Sequence, residues 1–198
     1  MAGEGKKVTK GDKTKKLLYD CAMELFREKG YDQVSVAEIV KKAGTAKGTF
    51  YIYFASKPEV LFEMLREYDD YYDQVASRFP ETLSVQGRLE KIAMSAGEFT
   101  STVIGFDLIR VLYTGQMTGN LRAQLYTDRS LYRIIREELE RGQRQGTIRR
   151  EPDSEELTNN LVTWIRGTFF EWVLRGGSFD LSAHCGRVAE LFYEGVRA

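Results

Sequence analysis

A thirteen-residue run, TAKGTFYIYFASK at positions 45–57, concentrates side chains that can hold phosphate oxygens and read base edges. Its lysines supply ammonium groups, and its threonines and tyrosines supply hydroxyl donors, which are the groups that grip a nucleic-acid backbone. Lys47 and Tyr51 project from the start and the middle of the segment, so we expect them to reach base edges. Ile52 is ambiguous, because it either faces a thymine methyl group or is partly buried. The candidates for DNA contact are Ser35, Thr45, Lys47, Gly48, Thr49, Tyr51, Tyr53 and Lys57.

Two short helices joined by a tight turn must position these groups. Ser35 can cap the first helix, whose apolar residues follow at the i, i+3, i+4, i+7 spacing of one buried face. Gly44 supplies a residue that tolerates positive φ at the turn. Thr45 can cap a second helix, 46–54, with Phe50 and Phe54 turned inward. This pattern is typical of a helix-turn-helix that enters the major groove.

Two questions about this segment stay open at the level of sequence. The same spacing also fits a helical hairpin in an ordinary bundle, and only the density of phosphate-binding groups favours DNA. Ser35 and Thr45 can present hydroxyls to phosphates or act only as helix caps. Gly48 would allow the backbone to approach DNA closely.

The rest of the chain also has helical periodicity, so the predicted fold class is all-α. We expect a flexible basic tail at 1–12, a three-helix DNA-binding domain at 13–57 and a C-terminal helical bundle at 58–198. A helix from Lys57 to Tyr72 would connect the two domains. Later helices are expected at about 89–103, from Phe106, at about 121–145, at 155–174 and at the C-terminus.

The N-terminal segment resembles the DNA-binding domain of the tetracycline-repressor (TetR) family of bacterial transcription regulators. The resemblance implies a dimer that binds a palindromic operator in double-stranded DNA, usually as a repressor, and releases it when a small molecule binds the C-terminal domain. Three positions, Val40, Thr45 and Ala46, depart from the usual pattern, and Ala46 lacks a hydroxyl that could contact phosphate. The matching residues are Leu18, Cys21, Ala22, Leu25, Phe26, Gly30, Val34, Ser35, Val36, Ile39, Ala43, Gly44, Lys47, Gly48, Thr49, Phe50, Tyr51, Tyr53, Phe54, Ser56, Lys57 and Leu61.

Charge is distributed unevenly although the net charge of the 198 residues is zero. Residues 1–57 carry 12 Lys and Arg against 7 Asp and Glu, so the N-terminal part is positive and the remainder is negative by the same amount. This polarity would orient the molecule toward DNA. No signal peptide or membrane span is evident, which predicts a cytoplasmic protein.

Catalysis is not expected. The single histidine, His184, has no Ser or Cys partner arrangement, and no phosphate loop or His/Cys metal spacing is present. We predict no catalytic residue, metal or cofactor.

The C-terminal part is rich in aromatic and methionine residues, which favours an apolar cavity for a hydrophobic or aromatic effector of unknown identity. Arg110 could face an acidic group of that effector or pair with a neighbouring carboxylate. An alternative is a DNA-binding dimer without an effector whose C-terminal domain binds a protein partner. The candidate pocket residues are Met94, Phe99, Phe106, Arg110, Tyr113, Met117 and Trp164.

The last two helices are apolar on two sides, so one side can face the monomer core and the other a second subunit. We therefore expect a homodimer joined through these helices. Cys185 could meet its twin across the dimer axis. The candidate interface residues are Phe169, Trp172, Val173, Cys185, Val188 and Phe192.

Overall fold

The computed structural model describes residues 9–118 and 129–198, and most of the residues in these ranges are in helices. The all-α prediction is confirmed; the described residues contain one isolated β-bridge, between Ile148 and Arg197. Part of the predicted tail and the first part of the helix predicted at 121–145 lie outside the described residues. The α-helices are α1 (Lys10–Lys29), α2 (Val36–Lys42), α3 (Lys47–Tyr53), α4 (Met64–Ser77), α5 (Val85–Phe99), α6 (Phe106–Met117), α7 (Ser130–Gln145), α8 (Ser154–Leu174) and α9 (Leu181–Val196).

The first helix begins earlier than predicted. Thr9 is its N-cap: the Thr9 hydroxyl accepts from the Asp12 N–H at 3.1 Å, and the Asp12 carboxylate accepts from the Thr9 N–H at 2.9 Å. This reciprocal capping box starts α1 at Lys10, so residues 10–12, expected to be tail, are helical.

We call residues 9–57 the head and the described residues from Pro58 onward the body. In the head, α1 packs against α2 and α3 around a small apolar core. Phe50 of α3 is fully buried, and Phe54 at the end of α3 is 2% exposed. Leu18 and Ile39 are also fully buried in this core. The core fixes how α3 is rotated, and therefore which of its side chains face outward.

A 3₁₀ helix, Pro58–Phe62, followed by α4 replaces the single helix predicted from Lys57. Glu63 lies at the junction between them. The body contacts the head a second time where α6 packs near the 3₁₀ helix Tyr31–Gln33, and Arg110 there pairs with Asp32 at 3.5 Å.

Within the body, α5 and α9 pack in close contact. A Cβ on Gly97 would lie 2.7 Å from the carbonyl oxygen of Leu181, so only glycine permits this approach. A π-helical turn, Thr100–Ile104, extends α5, and Gly105 then turns the chain at a φ of +85°. The α5 and α6 segments consequently meet at a bend of 104°. Within the described ranges, no single helix has the length and apolar composition of a membrane span, and only this bent pair passes that test together.

Candidate nucleic-acid interface

The start of α2 is held by Ser35 and Glu38. The Ser35 hydroxyl accepts from the Glu38 N–H at 3.2 Å and donates to the Glu38 carboxylate at 3.0 Å, and that carboxylate also accepts from the Ser35 N–H at 2.9 Å. Lys29 of α1 donates to the same carboxylate at 2.8 Å. The cap reading of Ser35 is therefore confirmed, and a phosphate contact by its hydroxyl would have to displace Glu38.

The turn between α2 and α3 contains the predicted glycine with positive φ, but the residue that caps α3 differs from the prediction. Gly44 adopts a φ of +63°, and the Thr45 N–H donates to the Val40 carbonyl at 2.9 Å, which closes the end of α2. However, the N-cap of α3 is Ala46, so the prediction of Thr45 as the cap is wrong. The Thr45 hydroxyl oxygen is buried and makes no hydrogen bond to a described residue. It points away from solvent, so a phosphate contact by Thr45 would require a different rotamer.

Two of the predicted base-reading side chains are exposed on α3. Lys47 lies in the first turn and makes no ion pair with any residue of the described ranges. The Tyr51 side chain is 49% exposed, and its ring lies edge-on to Phe50 with 5.5 Å between the centroids. The buried Phe50 therefore orients the Tyr51 ring while the hydroxyl remains free to meet a partner.

Three other predicted contacts lie around the same helix. Gly48 is exposed, with no atom within 4 Å of where a Cβ would lie. Thr49 is half-buried. Tyr53 is also half-buried, and a Cβ on Gly11 of α1 would lie 3.4 Å from its hydroxyl. Tyr53 thus bridges α3 and the start of α1, whereas Gly48 leaves the surface of α3 open.

Lys57 has a role that the sequence did not indicate. Its ammonium donates to the carbonyl oxygens of Tyr31 and Val34, both at 2.9 Å, and lies 4.1 Å from the centroid of the Tyr31 ring. Burial lowers the pKa of this ammonium. Lys57 fastens the end of the head to the α1–α2 connection, and only its third N–H bond remains for the predicted phosphate contact.

Three of the residues predicted to line an effector pocket lie at the surface of the described part of the chain. Met94, Met117 and Trp164 are exposed by 43%, 73% and 50%, so they do not line an enclosed cavity. The other four predicted pocket residues each contact a neighbour within the chain. Phe99 stacks on Tyr71, and Phe106 lies edge-on to Trp172.

Arg110 pairs with Asp32 and Asp107, and the Tyr113 hydroxyl donates to the Arg166 carbonyl at 2.9 Å.

The predicted dimer residues are mostly part of the monomer core. Phe169, Trp172, Cys185 and Phe192 are at most 6% exposed, because α8 and α9 pack against α5, α6 and α7 and against each other. Burial also raises the pKa of the Cys185 thiol to about 12, and the thiol faces the core of the monomer. Only Val173 and Val188 of that set are partly exposed.

The exposed apolar surface of α8 and α9 is formed by other residues. Trp164, Leu174 and Leu191 are exposed by 50%, 65% and 51%. The Trp164 ring lies edge-on to Phe192, with 5.8 Å between the centroids. We call Trp164, Leu174, Val188 and Leu191 the outer α8–α9 patch.

Metal-ligating side chains do not come together in the described part of the chain. Within residues 9–118 and 129–198, no group of three or more His, Cys, Asp or Glu residues is arranged to hold a metal ion. His184 on α9 packs against the Phe179 ring, with 4.2 Å between the centroids, and its Nδ1 lies 3.0 Å from the Asp180 carbonyl oxygen.

Comparison with known proteins agrees with this arrangement. Residues 18–64 match the bacterial regulatory proteins of the tetR family. The chain is 28% identical over 184 residues to the fatty acid metabolism regulator protein of Bacillus subtilis (strain 168), covering 90% of this chain and 93% of that protein.

Solved structures share the fold over nearly the whole chain. FadR of Thermus thermophilus, a TetR-family transcriptional repressor in complex with lauroyl-CoA, superposes with a TM-score of 0.73 at 22% identity, covering 91% of this chain and 94% of that one. The transcriptional regulator FadR of Bacillus subtilis in complex with stearoyl-CoA gives a TM-score of 0.63 at 23% identity, with coverages of 91% and 98%.

Proposed function

We infer that this chain, which belongs to the tetR family of bacterial regulatory proteins, is a DNA-binding transcription regulator and not an enzyme. We propose that it is a homodimeric repressor of a palindromic operator and that a fatty acyl thioester releases it from that operator. The observation that carries the proposal is the exposed surface of α3, held on a buried Phe50 within a positively charged head. In this proposal residues 13–57 bind DNA and residues 58–198 sense the effector and dimerise.

The outer α8–α9 patch supports the dimer. Three large apolar side chains, Trp164, Leu174 and Leu191, are exposed on adjacent helices, and a second copy of the patch would remove them from water. Two-fold symmetry would then place two copies of α3 in successive major grooves, about 34 Å apart along the duplex. An inverted-repeat operator follows from that symmetry.

A fatty acyl thioester is proposed as the effector on two grounds. Relatives with the same fold hold lauroyl-CoA or stearoyl-CoA, and one relative that aligns over 93% of its length is a fatty acid metabolism regulator. An acyl chain is also the hydrophobic kind of ligand that the composition of the body favours.

Release would follow from a change in the packing of the body. Leu89, Ile92, Ile135 and Leu139 are at most 1% exposed, so an acyl chain could enter between α5 and α7 only if these helices separate. α4 packs on both of these helices and is joined to the head through the 3₁₀ helix Pro58–Phe62. A ligand that binds only the separated conformer would shift the spacing of the two heads and lower operator affinity.

A second candidate is favoured by the same packing. If the core between α5 and α7 does not open, the protein is an operator-binding dimer without a small effector, and its body binds a protein partner. The two candidates predict different responses to acyl thioesters.

Selection of randomised duplex DNA at two salt concentrations tests the operator-binding part of the proposal. We expect an enriched inverted repeat with half-sites about one helical turn apart. Binding that depends on salt but enriches no motif would mean that the head grips phosphates without reading bases, and would contradict the proposal.

Thermal unfolding with lauroyl-CoA, stearoyl-CoA and free coenzyme A tests the effector. The acyl thioesters should raise the melting temperature and weaken operator binding, whereas coenzyme A alone should do neither. Equal affinity of the thioester for free and operator-bound protein would rule out the release mechanism. Intact operator binding with no response to either thioester would favour the second candidate.

A further inference from the structure

The outward face of α3 has an apolar centre. Phe50 points into the head and is fully buried, and at about 100° per residue the direction opposite to it falls between Gly48 and Ile52. Ile52 is 76% exposed, the highest value among the large apolar side chains of the described residues. The polar side chains of Lys47 and Tyr51 lie along one edge of this face, and Thr49 and Tyr53 lie along the other.

We propose that Ile52 determines operator sequence by packing against the 5-methyl group of one thymine in each half-site. The proposal rests on the operator binding proposed above and specifies one of the bases that this binding reads. It places Ile52, which lies between the two polar edges, at the centre of the base-reading surface instead of Lys47 and Tyr51.

The chemistry of the major groove selects thymine as the partner. An isoleucine side chain has no hydrogen-bonding atom, so any base donor or acceptor that it covers loses its water without a replacement partner. All four bases present donors or acceptors at the major-groove edge, and only thymine also presents a methyl group there. Ile52 therefore favours thymine by apolar contact and disfavours the other three bases by desolvation.

Gly48 supplies a second, independent indication of close approach on this face. It lies one turn before Ile52, its φ is not positive, and no atom lies within 4 Å of where its Cβ would be. Neither backbone conformation nor packing within the described residues requires glycine there, although glycine is unfavourable in a helix. Close approach of DNA to the α3 backbone does require a glycine at this position. The same close approach brings Ile52 to the floor of the major groove.

The side chain of Ile52 is also suited to specific contact because it is β-branched. In a helix an isoleucine occupies one strongly preferred χ1 rotamer, so little rotamer freedom is lost on binding. The methyl groups are already in place when α3 enters the groove.

Thymine-to-uracil replacement in the selected operator tests this contact, because it removes one methyl group and leaves every hydrogen-bonding atom unchanged. For the wild-type protein, replacement at one position in a half-site should weaken binding about fourfold, which corresponds to the ~0.8 kcal/mol of one buried methylene-sized group. Replacement at both symmetry-related positions should weaken it about fifteenfold. Thymines elsewhere in the operator should tolerate uracil.

Ile52→Ala identifies the side chain that senses the methyl group. This variant should bind the thymine and uracil operators with nearly equal affinity, while the wild-type protein distinguishes them. Val103→Ala, which shortens an exposed apolar side chain of the body, should retain the wild-type discrimination. Circular dichroism and melting temperature should be unchanged in both variants, because neither side chain is buried.

The outcomes separate this proposal from the one on which it rests. If selection enriches no operator, operator binding itself is wrong. If an operator is found but no thymine-to-uracil replacement depends on Ile52, only the methyl contact is overturned. Gly48→Ala gives a second readout: it should fold at least as stably as the wild-type protein and bind the operator more weakly, and unchanged operator affinity would contradict the close approach of this face.

Discussion

At the scale of single residues, the structure separates two lysines that look alike in the sequence. Lys47 is exposed at the start of α3, whereas the Lys57 ammonium donates to the Tyr31 and Val34 carbonyls. Both were predicted to contact DNA. Their different surroundings predict different consequences for the two substitutions.

Lys57→Met should destabilise the protein. It leaves two carbonyl oxygens without their charged donor while retaining most of the aliphatic stem, and we expect the free energy of unfolding to fall by about 1–3 kcal/mol. Urea denaturation measures this change. Lys47→Met is the matched control: it should alter the free energy of unfolding by no more than about 0.5 kcal/mol and should weaken operator binding. Equal stability of the Lys57→Met and wild-type proteins would show that the two carbonyls find other partners.

The sequence could not have distinguished the two lysines. The oxygens that hold Lys57 belong to backbone atoms 26 and 23 residues away, and any residue type supplies such an oxygen. In contrast, the buried Phe50 and Phe54 were predicted correctly, because their burial follows from local spacing on α3. Local periodicity therefore gave the orientation of α3, and only the folded chain gives the partner of Lys57.

At the scale of elements, α2 depends on the ionised carboxylate of Glu38. Hydrogen bonds from Lys29 and from the backbone and side chain of Ser35 lower the pKa of the Glu38 carboxyl from its ordinary 4.5 to about 2. When the pKa of a carboxyl is lower in the folded state than in the unfolded state, the ionised carboxylate stabilises the fold. This stability is present at pH values above the pKa of the unfolded state and is lost as the pH falls through the pKa of the folded state. The head should therefore lose stability between about pH 4.5 and about pH 2.

Urea denaturation across this pH range measures the contribution of Glu38. In Glu38→Gln the component of acid destabilisation that arises from this carboxyl should be absent, because the amide does not titrate. Ser35→Ala should reduce the component without abolishing it, since the Lys29 contact remains. An identical pH dependence in the wild-type and Glu38→Gln proteins would contradict this role for the capping box.

Asp69 connects α4 to the start of α7. Its carboxylate accepts from the Arg129 side chain at 3.2 Å and from the Ser130 N–H at 3.1 Å. Asp69→Ala should lower the free energy of unfolding by about 1–3 kcal/mol, because it removes a charge-assisted pair and a partner for the helix N-terminus. Asp70→Ala, at the exposed neighbouring position, should change it by no more than about 0.5 kcal/mol. A difference between the two variants below the error of thermal unfolding would mean that other contacts hold α4 to α7.

The same contact explains why a helix boundary was misjudged from the sequence. Apolar spacing predicted one helix over 121–145, but Arg129 is extended and α7 begins at Ser130. The Ser130 N–H is satisfied by Asp69, which lies 61 residues earlier in the chain. Similarly, the helix predicted from Lys57 divides at Glu63, which also pairs with Lys15 of α1. Boundaries that depend on distant partners are not encoded in local periodicity.

At the scale of the whole molecule, the sequence indicated that α8 and α9 are apolar on two sides but not which side faces outward. Cys185 and Phe192 follow the expected spacing, yet both are buried by the body, and Leu191 beside them is exposed. The rotation of a helix that is apolar on two sides is set by its neighbours, chiefly α7 for α8 and α5 for α9, and not by its own pattern. The same reason explains why Met94 and Trp164, both predicted to line the pocket, are exposed.

Leu191→Arg tests whether the outer α8–α9 patch joins two subunits. Leu191 is 51% exposed in the monomer, so arginine can be accommodated there without disturbing the core. In a dimer the same substitution places two charges in an apolar contact without partners, which is strongly unfavourable. We expect the variant to remain folded, to sediment as a monomer at concentrations where the wild-type protein is a dimer, and to lose most of its affinity for the palindromic operator.

Val103→Arg is the matched control, because Val103 is 40% exposed on the π-helical turn of the body, outside the outer α8–α9 patch. It should leave both the sedimentation coefficient and the operator affinity unchanged. A monomer contacts only one half-site, so the Leu191→Arg variant should bind an isolated half-site as tightly as the wild-type protein does. Its loss of affinity should therefore be seen only with the palindromic operator, where the wild-type dimer binds both half-sites at once. If Leu191→Arg instead remains a dimer with full operator affinity, the subunits associate through another surface, and the exposure of Trp164, Leu174 and Leu191 requires a different partner.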